Sequence, residues 1–223
     1  MSATHKVVIV MGPIGSGKTQ FVNEIAKTNF STGESLEGGH TTKVQIADTS
    51  IGDQPVEVVD TPGLDADNDT KAKETIIQYL QKLSRQKSIV GFIYMYNISE
   101  RRMTGSAKKT FESFTSICGT DALSRVSIVT NMWDLVNNED GERRERELRD
   151  ADYSYFKDAI NQGARLVRND VKGSGMEILR QMLDNQPVVL GGQAQHESGG
   201  FNGGGLSVPR KCCAGIKIKF WRK

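Results

Sequence analysis

The feature that most constrains this chain is the octapeptide GPIGSGKT at residues 12–19, which fits the pattern G-x-x-x-x-G-K-[ST]. The pattern is informative only between a strand and a helix. An apolar run occupies residues 6–11, and a helical pattern begins at Lys18. Glycines let such a loop curl until successive backbone N–H groups point at one phosphate, and the following helix N-terminus also favours an anion. This context predicts a phosphate-binding loop; the alternative is a glycine-rich turn that fits the pattern by chance.

The loop predicts contacts to the phosphates of a nucleotide from a set of neighbouring residues. They are Gly12, Ile14, Gly15, Ser16, Gly17, Lys18, Thr19 and Gln20. We expect the Lys18 ammonium to reach the terminal phosphates and to take part in catalysis, and the Thr19 hydroxyl to ligate Mg²⁺.

A second motif, VEVVDTPG at residues 56–63, places an acid at the end of a predicted strand. A carboxylate at that end of a strand suits the shell of a bound Mg²⁺, so Asp60 is a predicted metal ligand. Gly63 has no Cβ and can bring its N–H against a γ-phosphate, which makes it a predicted catalytic and nucleotide-binding residue. The alternative is a turn that ends the strand, because the residues Asp-Thr-Pro-Gly favour a turn. The loop about forty residues upstream favours the functional interpretation.

A third motif, NMWD at residues 131–134, follows a predicted buried strand. Guanine presents a ring N–H and an exocyclic amine on one edge, and a single carboxylate can accept hydrogen bonds from both. We expect Asp134 to bind the base, and Asn131 to brace its loop and reach the base or the phosphate-binding loop. Adenine has no matching pair of donors, so the motif predicts that guanine is preferred by several kcal/mol.

Thr41 and Thr42 end a polar stretch just before a predicted hairpin. One of the two hydroxyls is expected to complete the Mg²⁺ shell in the triphosphate state and to release the ion after hydrolysis. We assign this metal-binding and catalytic role to Thr42, because it lies next to the strand entry at Lys43. The alternative is a pair of ordinary threonines that lead into a strand.

Predicted strands and helices alternate along most of the chain. The predicted strands are 6–11, 43–47, 56–59, 88–95, 125–130 and 164–167. The first predicted helix begins at Lys18, and the others span 70–84, 106–118, 140–161 and 174–183. This alternation predicts an α/β fold with a mostly parallel sheet covered on both faces and one antiparallel hairpin.

The composition changes after the last predicted helix. We predict a nucleotide-binding domain over residues 1–186, a Gly-rich flexible linker over 187–209 and a basic tail over 210–223. The tail holds six Lys or Arg and no acid, with Cys212 and Cys213 near large apolar side chains. Such a segment suits an anionic membrane surface, with palmitoylation of the cysteines, or a β-strand docked on the domain.

The overall composition indicates which classes of partner and which cellular compartment to expect. A net charge of +2 on 223 residues argues against a nucleic-acid partner. The sequence contains no segment with the pattern of a signal peptide or a transmembrane helix, and its three cysteines form neither a disulfide framework nor a zinc pattern. We therefore expect a cytoplasmic protein that becomes peripheral at a membrane if the tail binds one.

Four further segments carry a family resemblance: DTPGL at 60–64, ISERRMTGS at 98–106, ICG at 117–119 and TNMWD at 130–134. Together with the phosphate-binding loop they resemble GTPases of the translation-factor-related class. The chain is similar to the septin-like branch of immunity-associated nucleotide-binding proteins (GIMAPs) and chloroplast-import receptors, and in particular to fungal G-domain proteins. The resemblance spans residues 5–185. It implies a three-layer, Ras-like P-loop GTPase G domain that binds GTP or GDP with Mg²⁺.

The chain departs from the family pattern around the base. Met132 stands where many GTPases have a lysine that packs on the purine, and a thioether can pack there without the charge. The usual Ser-Ala-Lys motif is absent, and Arg168, Asn169 and Asp170 take its place by position. The resemblance to the immunity-associated branch implies that Asn169 is a nucleotide-binding residue.

Leu64 follows Gly63 at the position where Ras-like enzymes have a glutamine that orients water. Leucine has no group for this role, so the sequence predicts slow intrinsic hydrolysis. In the resembling families two G domains can pair face to face across the nucleotide, which implies a nucleotide-dependent homodimer that supplies the missing group. Arg101 and Arg102 are candidates for that group, and a solvated basic pair is the alternative.

The predicted function is therefore a GTP-binding molecular switch with a slow GTPase activity. A GTP-dependent, membrane-associated scaffold in which hydrolysis is incidental is one alternative. A P-loop ATPase or kinase is another, although the sequence marks neither an adenine pocket nor a site for a phosphate acceptor.

Overall fold

The computed structural model of the protein describes residues 6–32, 41–65, 70–83 and 87–185. None of the helices within these residues is long and apolar enough to cross a membrane. The predicted linker at 187–209 and the tail at 210–223, with Cys212 and Cys213, lie outside the described residues and stay predictions.

The described strands form one sheet in the order β2-β3-β1-β4-β5-β6. Their bounds are β1 Lys6–Met11, β2 Gln45–Ile51, β3 Gln54–Asp60, β4 Ser88–Asn97, β5 Val126–Asn131 and β6 Arg165–Arg168. β2 is antiparallel to β3, and every other neighbouring pair is parallel. The predicted α/β fold, a mostly parallel sheet with one antiparallel edge hairpin, is confirmed.

The helices cover both faces of this sheet. Their bounds are α1 Lys18–Ala26, α2 Thr70–Leu83, α3 Gly105–Cys118, α4 Asn138–Asp150, α5 Lys157–Asn161 and α6 Ser174–Leu183. Alternate residues of β1 face opposite layers, since Ile9 belongs to a core shared with α2 and α3 and Val8 to a core shared with α1 and α6. Such burial on both faces requires the continuous apolar runs seen in β1 and β4.

The long charged helix predicted over 140–161 is wrong, because the chain leaves the helix between α4 and α5. The Ser154 hydroxyl donates to the Leu148 carbonyl at 2.6 Å, which offers the end of α4 a partner outside the helical ladder. The break also lets Phe156 become fully buried against the rings of Tyr94 and Phe111. The sequence favours one helix through exposed i,i+4 charge pairs such as Glu142 with Arg146, but burial of a large aromatic side chain contributes more.

The edge hairpin is longer than predicted. β2 and β3 continue to a two-residue turn, where Gly52 adopts a positive φ of 59° at the first central position. Glycine tolerates this conformation at little cost, which allows the strands to pair up to the turn.

The end of α6 is attached to the amino edge of the sheet. The Lys6 ammonium donates to the Leu183 carbonyl at 2.5 Å, and the Asn185 amide donates to the Val90 carbonyl at 3.2 Å. Because Lys6 and Val90 lie at the starts of β1 and β4, the last described residues are at the opposite edge from the motifs that follow the strands.

Candidate nucleotide-binding site

The three sequence motifs meet at the carboxyl edge of the sheet, where β1, β3 and β5 end. Ligands of open α/β sheets bind at this edge, so the topology brings distant segments to one place. The contacts among them define the candidate site.

The phosphate-binding loop follows β1 and needs its glycines. Gly12, Gly15 and Gly17 have φ values of 146°, 75° and 87°, which L side chains rarely adopt. A Cβ on Gly12 would also lie 2.6 Å from the backbone oxygen of Met95 on β4, and one on Gly17 would collide with the side-chain amide of Asn131. The loop is therefore packed against β4 and the end of β5.

Polar side chains hold the loop in its curved form. The buried Ser16 hydroxyl donates to the Pro13 carbonyl at 2.9 Å. The Lys18 ammonium donates to the carbonyls of Gly12 and Pro13 at 3.1 and 2.7 Å, and Lys18 is only 6% exposed. These contacts place a cation against the loop, while Ile14 and Gln20 are exposed at its surface.

The second motif lies directly on the phosphate-binding loop. The Leu64 amide donates to the Gly12 carbonyl at 3.0 Å, and the Thr61 hydroxyl donates to the Val10 carbonyl at 2.8 Å. A Cβ on Gly63 would lie 2.9 Å from the Cα of Ile14, so only glycine allows this approach. The Leu64 side chain is 1% exposed and belongs to the core.

Thr19 and Asp60 form the polar centre of the site. The Thr19 hydroxyl donates to Asp60 Oδ2 at 2.7 Å, and the Thr41 hydroxyl lies 3.0 Å from that of Thr19. Asp60 Oδ1 is buried and has no hydrogen-bond partner among the residues that the structure describes. Burial raises the pKa of Asp60, against the opposing effects of the Thr19 hydrogen bond and the Lys18 charge.

This donor set fits Mg²⁺, a hard cation that prefers carboxylate and hydroxyl oxygens. A buried carboxylate oxygen without a partner is costly, and a cation beside it would remove that cost. Thr19 and Asp60 are thus well placed as metal ligands.

Of the two threonines, Thr41 lies beside Thr19, while Thr42 as a metal ligand stays a prediction from the sequence. Thr41 is half-buried beside Thr19, whereas Thr42 is exposed.

The base-binding motif is joined to the phosphate-binding loop through Asn131. Its side-chain amide donates to the Ser16 carbonyl at 3.1 Å, and its oxygen accepts a hydrogen bond from the Asn169 amide at 2.9 Å. Met132 adopts a left-handed conformation with φ 63°, and Asp134 follows in a short 3-10 turn with its carboxylate exposed. The structure therefore brings Asn131 and Asn169 together and leaves Asp134 accessible to a ligand.

Sequence reasoning missed the cluster that supports this motif. The Arg168 guanidinium donates to both carboxylate oxygens of Glu145, at 2.9 and 2.8 Å from Nε, and lies 4.5 Å from the centre of the Trp133 ring. Pairing with Glu145 raises the pKa of Arg168. A Cβ on Gly141 would lie 2.6 Å from Trp133, so α4 packs closely on the base-binding loop. No spacing in the sequence signals a pair that is 23 residues apart.

The family model described as the AIG1 family matches residues 6–174, most of the chain. The chain belongs to the AIG1 family. This agrees with the resemblance to immunity-associated nucleotide-binding proteins, while the septin-like and fungal relationships stay predictions.

Solved structures show the same fold as this AIG1-family chain at low identity. Toc33 from Arabidopsis thaliana in complex with Mg²⁺ and GMPPNP is 14% identical, with a TM-score of 0.62 over 82% of this chain and 87% of that one. A dimerization-deficient arginine-to-alanine mutant of Toc33 has the same identity, a TM-score of 0.59 and 83% and 88% coverage.

A translation elongation factor is also similar in fold. The elongation factor SelB from Methanococcus maripaludis, in complex with the GTP analogue GPPNHP, is 16% identical with a TM-score of 0.57. The alignment covers 84% of this chain and 36% of SelB. No curated protein matches the chain.

Proposed function

We propose that this AIG1-family protein is a GTP-binding molecular switch that hydrolyses GTP slowly. The observation that carries the proposal is the meeting of Lys18, the Thr19–Asp60 pair and the Asn131–Ser16 contact at one edge of the sheet. This arrangement provides for phosphates, a metal and a base in the order that a nucleotide presents them. The nucleotide complexes of Toc33 and SelB, which share the fold, support the same use of this edge.

Each residue has a distinct role in this proposal. Lys18 compensates the charge of the terminal phosphates, and the Gly63 N–H donates to the γ-phosphate. Thr19, Asp60 and Thr41 would hold Mg²⁺, whose charge would compensate that of the phosphates. Thr41 leaves the site after hydrolysis, which gives the chain two states with different surfaces.

The slow rate of GTP hydrolysis follows from the position and chemistry of the Leu64 side chain. Its side chain is buried in the core and has no polar atom, so the domain lacks a water-orienting group at this position. We propose that a second copy supplies a cation across the nucleotide in a homodimer. Arg101 and Arg102 suit this role because both are exposed on the segment between β4 and α3. The Toc33 mutant shows that an arginine matters for dimerization in that protein.

Turnover per molecule is expected to rise with protein concentration, because pairing is bimolecular. GTP hydrolysis should be measured over a wide range of concentrations for the wild type and for the Arg101→Ala and Arg102→Ala variants. We expect one of these two variants to lose the rise, a change of about tenfold or more since arginines supplied in this way contribute at least that much. The Arg180→Ala variant, changed on the exposed face of α6, is the control. A fast rate that is independent of concentration would reject the pairing.

The basic tail leads to a further part of the proposal, a cytoplasmic protein that is peripheral at an anionic membrane. Six cations lie within residues 210–223, and each contributes about 1 kcal/mol near such a surface. We expect the full chain to sediment with phosphatidylserine vesicles and a chain ending at Asn185 to remain in solution. Equal, negligible sedimentation of both, with a lower melting temperature for the shorter chain, would instead indicate a tail docked on the domain.

A further inference from the structure

The segment that carries Arg101 and Arg102 is fixed at both ends by hydrogen bonds. At its start, Asn97 Oδ1 accepts from the amide and the hydroxyl of Ser99 at 2.9 and 2.7 Å. At its end, the Thr104 hydroxyl accepts from the Ala107 amide at 3.1 Å and caps α3. The two arginines therefore lie on a short segment, and the hydrogen bonds at its two ends determine how that segment is oriented.

Arg144 of α4 contacts the start of this segment. Its Nη1 atom donates to the carbonyls of Ile98 and Ser99 at 3.0 and 2.9 Å, so a single nitrogen bridges two successive peptide groups. The side chain is half-buried, and hydrogen bonds from a charged donor are stronger than neutral ones. Arg144, Arg101 and Arg102 line one cleft of about 370 Å³ between α4 and the segment.

The same segment also touches the base-binding loop. The Ile98 amide donates to the Asn131 carbonyl at 3.0 Å, and the Asn131 side chain donates to the Ser16 carbonyl. The peptide groups on either side of Ile98 thus connect the nucleotide edge with Arg144. A shift of this residue would change both the arginine segment and the base-binding loop.

We propose that Arg144 is a positioning residue: it orients the segment that carries Arg101 and Arg102 so that these arginines face the second copy. This inference rests on the proposed stimulation by pairing. Arg144 itself does not touch the nucleotide in this proposal; it acts through the carbonyls of Ile98 and Ser99. Misplacing a contributing group by about 1 Å can cost a hundredfold in rate. Loss of the Arg144 hydrogen bonds is therefore expected to lower the rate of hydrolysis in the paired copy.

The direct test is hydrogen–deuterium exchange at the amides of Ile98, Ser99 and Glu100, each of which donates within this network. The Arg144→Ala variant is expected to raise their exchange about tenfold or more, since it removes two hydrogen bonds. Arg146→Ala changes an exposed arginine on the same helix and is the matched control. Arg144→Lys, which keeps a cation but lacks the planar fork, is expected to fall between Arg144→Ala and the wild type. Unchanged exchange in Arg144→Ala would overturn the inference.

The functional test is a double-mutant comparison of the concentration-stimulated hydrolysis. We expect Arg144→Ala to reduce the stimulated turnover about tenfold, and to add nothing when combined with the Arg101→Ala or Arg102→Ala change that removes the stimulation. Independent, additive losses would overturn the inference, because they would mean that Arg144 acts through stability alone. If exchange rises but the wild-type rate is independent of concentration, the pairing is rejected, while the positioning of the segment by Arg144 is supported.

Discussion

The Lys18→Ala variant is expected to bind GTP about 3 kcal/mol more weakly than the parent, roughly two orders of magnitude in Kd. Lys18 is buried against the loop and donates to two of its carbonyls, so its charge is held where phosphates would bind. Its removal leaves the phosphate charge without that compensation. Equilibrium titration with a fluorescent GTP analogue in the presence of Mg²⁺ measures the change.

The control for this prediction is Lys82→Ala. Lys82 is exposed in the last turn of α2, at the end of a helix that leads away from the carboxyl edge, and its loss removes the same charge. We expect both variants to melt cooperatively, with Lys18→Ala losing about 1 kcal/mol of stability for its lost hydrogen bonds. Parent-like GTP affinity in Lys18→Ala would reject the assignment of the loop.

The Asp134→Ala variant is expected to lose most of its preference for guanine over adenine nucleotides. Two hydrogen bonds from the guanine edge to one carboxylate are worth about 3 kcal/mol, or roughly a hundredfold in the ratio of dissociation constants. The exposed position of Asp134 lowers the expected cost of an unpaired carboxylate, because water can hydrate it when adenine is bound. The ratio of GDP to ADP affinity, measured for parent and variant, is the relevant quantity.

Asp170→Ala is the matched control, since Asp170 is an exposed carboxylate next to Asn169 at the same edge. We expect this change to leave the ratio close to that of the parent. Similar GDP and ADP affinities in the parent, or a preference that survives Asp134→Ala and disappears in Asp170→Ala, would show that another group reads the base.

The sequence was sufficient for the features that depend on local pattern and order. The apolar runs of β1 and β4 and the glycine spacing of residues 12–19 predicted a parallel sheet with a loop at its edge. Three motifs at the ends of β1, β3 and β5 then had to converge, because parallel strands end at one edge. The contact between Asn131 and Ser16 follows from that topology.

Features that depend on side-chain direction, or on packing between residues distant in the sequence, could not be predicted from the sequence pattern. Thr41 and Thr42 are identical in type and adjacent, so the choice between them depends on a rotation that no pattern encodes. The break after α4 depends on Phe156, whose burial against Tyr94 is a tertiary contact. Such contacts override the local propensity that favoured one continuous helix.

The same limit explains the two arginines whose roles appeared only in the structure. Arg168 replaces part of a missing motif in the sequence, yet it pairs with Glu145 and stacks on Trp133. Arg144 belongs to a run of alternating charges that predicts a solvated helix face, yet it holds two backbone carbonyls. In both cases the partner comes from another element of the fold.

The attachment of α6 has a consequence for any larger assembly. Asn185 and Lys6 fasten the end of this helix at the amino edge, on the far side of the sheet from the phosphate-binding loop. A load applied through the chain beyond residue 185 would therefore be borne by the starts of β1 and β4 rather than by the glycine loop. The carboxyl edge, which holds the candidate nucleotide-binding site, would not carry that load.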